Sequence, residues 1–344
     1  MRILDRIDYF MVSISTDEGI TGFGYSPVQY NNPWSFYYIL EKNMAKYLTG
    51  EDPLATEKTW YNLFNEIYRE RKGTAIRVLS VIDMALWDIK GKKLGLPLYK
   101  LLGGFREEVP CYASGGYYGK GKTTRELADE MSRYRELGFD AVKMKIGVQT
   151  IDKDIERVKT VRKAIGYDVK LIVDANNAYE VKAAIKIGRE LEKLDVYWFE
   201  EPIWIDDMKG CARVANAIDV PIASGQSEYT RYGFRDLIES RAVDILQPDV
   251  TVVGGVSEWL KVAAMASAHN TPLAPHWDGS AGTVWDQNVH AHLAAVVPSV
   301  MYVEFFRPSP DEYPELKRGC MTVPRTPGLG VELDEKKLEE FRIN

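Results

Sequence analysis

The chain has 344 residues, of which 45% are apolar and 27% are charged, and its formal net charge is −6. This composition excludes an intrinsically disordered chain, and the mild acidity argues against a nucleic-acid-binding protein, which usually carries a basic face. The length predicts two domains, or one large barrel with additions, and is sufficient to bury a core without covalent staples.

The cysteines and the apolar stretches exclude further classes of protein. Cys111, Cys211 and Cys320 lie far apart and form no Cys-x-x-Cys pair, so neither a disulfide framework nor a thiolate zinc site is supported. The N-terminal residues mix charged and apolar side chains, unlike a signal peptide. The longest apolar stretch, residues 293–303, is interrupted by Pro298 and is too short to span a bilayer. We therefore expect a soluble cytoplasmic protein with no membrane or nucleic-acid partner.

The first third of the chain predicts a small α+β domain. Residues 9–25 contain two β-rich runs around an Asp-Glu-Gly turn, which is typical of a hairpin. Residues 34–68 predict a helix rich in Tyr, Leu and Lys, and residues 75–94 place apolar side chains at helical spacing. Glycines and a proline then close the region. We place this domain at residues 1–108.

After residue 109 short apolar runs alternate with amphipathic helical segments. Eight such strand–helix units predict a (β/α)8 barrel over residues 109–307. An open doubly wound sheet is the alternative, but it usually carries a Gly-rich phosphate turn, and none follows a strand here. Residues 308–344 contain a turn and a short charged helix that we expect to return to the first domain. The eight runs are residues 111–116, 141–147, 169–176, 197–202, 221–226, 243–249, 272–277 and 302–306.

Polar side chains occur at the ends of the predicted strands. In a barrel of this type the active site lies where the carboxyl ends of the strands meet. Each residue alone has an ordinary explanation, such as a solvated charge, a turn residue or an ion pair. Gathered in one barrel mouth, these groups would lose water and like charges would repel, which is costly without a compensating ion. The residues are Lys143, Lys145, Asp174, Glu200, Glu201, Gln226 with Glu228 close by, Asp249, His276 and Glu304.

The spacing of three of these residues predicts a metal site. Asp174 and Glu200 are 26 residues apart, and Gln226 follows after another 26, so each comes from the next strand–helix unit. Three hard oxygen donors suit Mg²⁺, whereas zinc is disfavoured because no Cys or His clusters with them. Lys143 and Lys145 are two residues apart, which directs both side chains to one face of their strand.

The motifs that carry these residues resemble those of the enolase superfamily, in its mandelate racemase-like subgroup. The N-terminal TDEGITGFG, the helix IDMALWDIKGKKLGLPLYKLLGG and the late PGLGVEL also resemble the capping domain of that family. The resemblance implies a TIM-type (β/α)8 barrel with an α+β cap formed by the N-terminal region and the C-terminal tail. The matching barrel motifs are VKMKIG, VDANNAY, WFEEP, QPD, APHW and VEFF.

This resemblance implies a shared partial reaction. Mg²⁺ binds a substrate carboxylate, a base removes the α-proton, and the metal stabilises the resulting enediolate. Lys145 is then the base on one face, while Lys143 lowers the pKa of Lys145 and contacts the carboxylate. His276, oriented by Asp249, acts from the opposite face. Glu304 is expected to hydrogen-bond a substrate carboxylate oxygen.

One position departs from the family pattern. The third metal ligand is typically a glutamate after a glycine, but here Gln226 follows Gly225, so one negative charge is lost and weaker Mg²⁺ binding is expected. Gln226 is a neutral ligand in its own right, or Glu228 takes its place, or Gln226 is an exchange that slows the enzyme. The 26-residue spacing favours Gln226, because Glu228 falls in the following loop.

Two outcomes of the shared reaction are open. A racemase or epimerase of a hydroxy acid would return the proton on the opposite face, whereas a dehydratase would expel the β-hydroxyl and form a 2-keto-3-deoxy acid. The resemblance, together with the polar loop over residues 18–33, implies dehydration of an acid sugar (an aldonate), but leaves open whether Lys145 or His276 removes the proton. A non-catalytic carboxylate-binding barrel is the alternative from another class; Gln226 motivates it, and the paired acid and base argue against it.

The substrate contacts are predicted from the loops around the mouth. Residues 18–33 carry polar and aromatic side chains that suit a polyhydroxy substrate. Trp285 and His290 either line the rim or pack within the following helix. We expect a small sugar-acid substrate and a homo-oligomer. The predicted substrate-binding residues are Tyr25, Asn31, Asn176 and Trp277.

Overall fold

The computed structural model describes residues 8–28, 33–277, 284–306 and 316–331. The predicted substrate contact Asn31 and the predicted charged helix after residue 331 lie outside these ranges. Within the ranges, no helix is both long enough and apolar enough to cross a membrane.

A hairpin packed on a long helix forms the N-terminal layer. Strands β1 (Asp8–Ser15) and β2 (Thr21–Val28) pair antiparallel in the predicted hairpin. Helix α3 (Thr74–Leu94) also forms as predicted and ends at Gly95, whose left-handed backbone suits glycine. Most of the side chains of α3 are buried, because β2, α2 and barrel helices pack around it.

The predicted single helix over residues 34–68 is wrong. The chain forms α1 (Pro33–Ile39), a π turn and a 3₁₀ turn over residues 40–47, and then α2 (Thr56–Glu66). Gly50 adopts a φ of 80° and Pro53 follows three residues later, so the intervening loop cannot continue a right-handed helix. The prediction followed the Tyr, Leu and Lys content of the segment and did not take account of this loop.

Gly24 allows β2 to approach α3 closely, and replacing it should destabilise the fold. A Cβ atom at this position would overlap the backbone carbonyl of Val81. We expect Gly24→Ala to lower the free energy of unfolding by about 1–3 kcal/mol or more, because a backbone atom cannot rotate away. Chemical denaturation measures this loss. Gly119→Ala is the control, since its added Cβ would meet only Lys122 at an ordinary 3.4 Å; equal stability losses in both variants would contradict the packing argument.

Parallel strands curl into the predicted barrel. They pair in sequence order from β3 to β8, and β9 returns to pair with β3. The seventh predicted run forms only isolated bridges, from Leu273 to Leu246 and to Val300, rather than an extended strand among the described residues. The strands are β3 (Glu108–Ser114), β4 (Ala141–Lys145), β5 (Lys170–Asp174), β6 (Val196–Glu200), β7 (Ile222–Ser224), β8 (Ile245–Leu246) and β9 (Val303–Phe306).

Helices follow the strands and cover the outside of the sheet. Helix α5 begins with a capping box, in which the side chain of Thr123 accepts from the backbone of Glu126 and Glu126 accepts in return. The helices are α4 (Leu98–Leu101), α5 (Thr124–Glu136), α6 (Ile151–Ile165), α7 (Val181–Glu192), α8 (Met208–Ala215), α9 (Thr230–Glu239), α10 (Val250–Val253), α11 (Gly255–Ala268) and α12 (Val284–Ala294).

The barrel interior is built in two layers that place the polar residues. A small apolar cluster fills the lower layer, and the residue two positions further along each strand belongs to the layer above, because strand side chains alternate. The upper layer therefore collects the charged side chains at the carboxyl ends of the strands. The lower layer comprises Tyr112, Ala141, Ile172, Trp198, Ala223, Ile245, Ala274 and Tyr302.

The C-terminal segment returns to the N-terminal layer. Strands β10 (Leu316–Lys317) and β11 (Cys320–Thr322) pair with each other, and β11 pairs antiparallel with β3. Further along, Gly328 hydrogen-bonds Leu96, and the backbone N–H of Leu329 donates to Asp88 of α3. The domain limits at residues 1–108, 109–307 and 308–344 stay a prediction.

Candidate active site

Two buried lysines occupy the centre of the barrel mouth. Lys143 Nζ lies 2.7 Å from Glu200 Oε1 and 2.9 Å from Glu304 Oε1, and 3.8 Å from Asp174 Oδ2. Lys145 lies two residues further along β4 and forms an ion pair with Asp174 of the neighbouring strand β5. The two lysines, which were predicted to share one face of their strand, thus pair with carboxylates from other strands in one continuous network.

Lys143 lowers the pKa of Lys145 as expected, but the net pKa of Lys145 is raised rather than lowered. Burial lowers the pKa of Lys145, but the Asp174 carboxylate and the Tyr117 hydroxyl oppose burial, and the pKa ends above its ordinary value. Lys143 has the predicted sign but a smaller effect, because Asp174 pairs with Lys145 directly. Lys145 therefore holds its proton until the attraction to Asp174 is weakened.

The three predicted metal ligands are held by the strand ends. Asp174 Oδ1 accepts from the backbone N–H of Asn176 at 2.8 Å. Glu200 Oε2 accepts from Trp198 Nε1 at 3.1 Å and from Gln247 Nε2 at 2.8 Å. Gln226 Oε1 is buried and has no hydrogen-bond partner in the part of the chain that the structure describes.

These donors fit a hard divalent cation. No three His, Cys, Asp or Glu side chains in the described ranges are grouped so as to hold a metal ion. The predicted set differs from such a group, because it consists of two carboxylates and the amide oxygen of Gln226. The buried, unpaired Oε1 of Gln226 is an oxygen available to a cation, and oxygen donors of this type suit Mg²⁺.

Glu201 is a site residue to which the sequence analysis assigned no role. Its Oε2 accepts from Gln226 Nε2 at 2.6 Å and lies 3.3 Å and 3.5 Å from the amide nitrogens of Asn177 and Asn176. Burial, followed by the negative charges of Asp174 and Glu200, raises the pKa of Glu201 to about 8. Alternation along β6 would direct the side chain after Glu200 outward, but a left-handed φ of 41° at Glu201 breaks that alternation.

Glu228 is engaged elsewhere. Its Oε1 lies 2.8 Å from Lys72 Nζ, which comes from the segment before α3, and accepts from the backbone N–H of Tyr229 at 2.8 Å. The carboxylate is buried in this contact between the two halves of the chain. Because both partners hold Glu228 on that side, the structure favours Gln226 as the third donor.

His276 and Asp249 form the predicted pair. His276 Nδ1 lies 2.9 Å from Asp249 Oδ2, while Asp249 Oδ1 accepts from the backbone and hydroxyl of Thr251. Burial lowers the pKa of His276, but the bond to Asp249 and the charge of Glu304 outweigh it and raise the pKa to about 9. His276 is therefore an imidazolium near neutral pH and can donate a proton.

His290 is a second histidine beside this pair. Its Nε2 lies 3.9 Å from Asp249 Oδ1, and burial lowers the pKa of His290 to about 4. The side chain is buried in α12, so it packs near the site rather than lining an open rim. The side chain of Trp285 is not among those that the structure describes.

Glu304 pairs with side chains inside the barrel, and its expected bond to a substrate carboxylate oxygen stays a prediction. It accepts from Lys143 and, at 3.0 Å, from the hydroxyl of Tyr112. Burial raises the pKa of Glu304, but Lys143 and His276 lower it further, to about 2. The ionised carboxylate can only accept hydrogen bonds, so a bond to an ionised substrate carboxylate would need a proton that Glu304 does not hold here.

The predicted substrate-binding residues that the structure describes lie in different parts of the molecule. Asn176 lies at the mouth beside Glu201. Tyr25 is buried in the N-terminal layer with its ring 6.5 Å from Tyr9, and Trp277 is buried with its ring 6.1 Å from Phe305. The substrate-binding roles of Tyr25, Asn176 and Trp277 stay predictions.

Comparison with known families decides the relationship. A family model described as the mandelate racemase/muconate lactonizing enzyme N-terminal domain matches residues 2–103, and one described as enolase C-terminal domain-like matches residues 126–337. The chain belongs to the enolase superfamily. It falls in the mandelate racemase-like subgroup, as the motifs at the strand ends indicated.

Three relatives illustrate the range of activities in this subgroup. The arabinonate dehydratase of Saccharolobus solfataricus is 39% identical over 96% of this chain and 89% of its own length. The structure of a racemase from Streptomyces coelicolor with bound magnesium is 32% identical, with a TM-score of 0.89 over 98% of this chain and 92% of that one. An L-talarate dehydratase from a Polaromonas species, complexed with Mg and L-glucarate, is 33% identical, with a TM-score of 0.86 over 96% and 91%.

Proposed function

We propose that the chain is an Mg²⁺-dependent acid-sugar dehydratase that converts an aldonate to a 2-keto-3-deoxy acid. The observation that carries the proposal is the convergence of Lys145, the Asp249–His276 pair and the Asp174–Glu200 carboxylates at one barrel mouth. Relatives named for arabinonate and L-talarate dehydration support the substrate class.

The oxygen donors of the site would hold the metal and the substrate carboxylate. Asp174, Glu200 and Gln226 would hold Mg²⁺, and Lys143 lies close enough to Glu200 to contact a carboxylate bound there. When bound, Mg²⁺ would supply positive charge beside the substrate carboxylate, and Asp174, shared with the metal, would attract the ammonium of Lys145 less strongly.

Lys145 and His276 divide the proton transfers. The neutral amine of Lys145 takes the proton from the α-carbon, and the electron pair of that C–H bond forms the enediolate. The imidazolium of His276 then gives a proton to the β-hydroxyl, which leaves as water with the electron pair of its C–O bond. The resulting enol takes up a proton at the β-carbon and loses the proton of its 2-hydroxyl group, which gives the 2-keto-3-deoxy acid.

The charge on His276 favours elimination over racemisation. A racemase needs the group on the opposite face to alternate between base and acid, whereas elimination needs an acid that starts protonated. The bond to Asp249 supplies that state below about pH 9.

A panel of acid sugars tests this function. Mono- and diacid sugars, beginning with the pentonates, are incubated with the chain and Mg²⁺, and keto product is detected with semicarbazide. We expect product from at least one aldonate and none after Mg²⁺ is removed by a chelator. Loss of the α-proton without keto product would instead indicate a racemase, and no reaction with any acid would support a non-catalytic carboxylate-binding barrel.

The pH dependence reports the role of His276. If the imidazolium donates the proton, kcat/KM falls as the pH rises through about 9. Asp249→Asn removes the carboxylate that stabilises the charged ring, so the basic limb should move to lower pH by at least one unit. Asp219→Asn, which alters an exposed carboxylate, is the control. A rate that increases through pH 9 in the natural chain would contradict the acid role.

A further inference from the structure

The amide of Gln226 has a fixed orientation. Its Nε2 donates to Glu201 Oε2 at 2.6 Å, and a carboxylate oxygen accepts from the amide nitrogen but not from the amide oxygen. Oε1 must therefore point away from Glu201. This oxygen is buried and lacks a hydrogen-bond partner among the described residues, which is costly unless something else binds it.

Glu201 is itself held firmly in place. Its side chain is 1% exposed, and its backbone adopts a φ of 41°, which a glutamate rarely adopts. The Glu201 N–H donates to the carbonyl of Ala223 at 2.9 Å, and its carbonyl accepts from Asn177 at 2.8 Å. Asn176 and Asn177 also have left-handed backbones and direct amide nitrogens towards the Glu201 carboxylate. Strained residues gathered at one point are a feature of functional sites.

The charge of the metal site is the second argument. The donors Asp174 and Glu200 carry negative charge, but the amide of Gln226 carries none, so the set has one negative charge fewer than three carboxylates would. Glu201 places its carboxyl group one hydrogen bond away from that neutral donor. A group that hydrogen-bonds a metal ligand has a strong influence on the affinity for the metal. Its loss lowers that affinity by about 10–100-fold.

We propose that Glu201 is a positioning residue for the divalent cation. It turns Gln226 Oε1 towards the cation by accepting a hydrogen bond from Gln226 Nε2. The pair Glu201–Gln226 thus replaces a single carboxylate ligand. This proposal rests on the Mg²⁺ site of the proposed function.

The affinity for Mn²⁺, measured by electron paramagnetic resonance of the free ion, tests the proposal without relying on activity. In the full chain, Glu201→Gln and Gln226→Met should each weaken Mn²⁺ binding at least tenfold. Combining Glu201→Gln with Gln226→Glu moves the carboxylate from one position to the other and should restore affinity to within about threefold of the natural chain. Glu228→Gln, the same exchange at a buried glutamate that pairs with Lys72, should leave Mn²⁺ affinity unchanged.

The outcomes separate this proposal from the proposed function. If the natural chain and Glu201→Gln bind Mn²⁺ equally, the role of Glu201 is overturned while the metal site stands. If the natural chain binds no Mn²⁺, the metal site and the role of Glu201 both fail. If circular dichroism shows that Glu201→Gln is unfolded, Gln226→Met decides: unchanged affinity in that variant overturns the proposal.

Discussion

Lys145→Ala is expected to abolish both exchange of the substrate α-proton and formation of keto product, with a loss of about 10²–10⁴-fold or more in kcat. The physical reason is the placement of Lys145. Its ammonium is buried, pairs with Asp174 and lies over the ring of Tyr117 at 5.4 Å, so no water can take over as a base without entering the site. Proton exchange in D₂O, followed by ¹H NMR, measures the first step separately from elimination.

A second lysine exchange controls for a general effect of lost charge. Lys182 is exposed on α7, and Lys182→Ala should retain the activity of the natural chain. Circular dichroism of Lys145→Ala should match the natural chain, because loss of the lysine leaves Asp174 with its bond to the Asn176 backbone. A folded Lys145→Ala variant with full exchange would remove Lys145 from the mechanism.

His276→Asn should separate the two halves of the reaction. Without the imidazolium no acid assists the departing hydroxyl, so product formation should fall by about 10²–10⁴-fold. Exchange of the α-proton should persist, because Lys145 lies on a different strand and keeps its own partners. The two rates are measured on the same sample, from keto product and from deuterium incorporation.

The ratio of those rates distinguishes the assignments. Persistence of exchange with loss of product supports Lys145 as base and His276 as acid. Equal loss of both would instead make His276 the group that removes the α-proton. The matched control is His269→Asn at the end of α11, an exposed histidine outside the barrel mouth, which should leave both rates unchanged.

Strand ends were the most predictable part of the site. Lys143 and Lys145 share a face because strand side chains repeat every two residues, and the 26-residue spacing correctly placed Asp174 and Glu200 on adjacent strands. The same alternation could have found Trp198, which lies two residues before Glu200 and donates to it. Gln247 could also have been predicted from the sequence, because it lies two residues before Asp249 in the QPD motif and donates to Glu200.

What the sequence could not predict depended on backbone dihedral angles and on sums of opposing charges. The role of Glu201 was missed because its left-handed backbone interrupts the strand pattern. The pKa of Lys145 was misjudged because it depends on whether Asp174 or Lys143 is nearer, which only the structure shows. The break in the predicted helix over residues 34–68 depended on one short loop around Gly50.

The most direct test of the proposed function is ¹H NMR of an aldonate in D₂O with the natural chain and Mg²⁺. We predict that the α-proton signal disappears and that signals of the 2-keto-3-deoxy acid grow, with both changes lost in Lys145→Ala. An α-proton that persists in every aldonate tested, in the presence of Mg²⁺ and of a chain shown to be folded, would contradict the account.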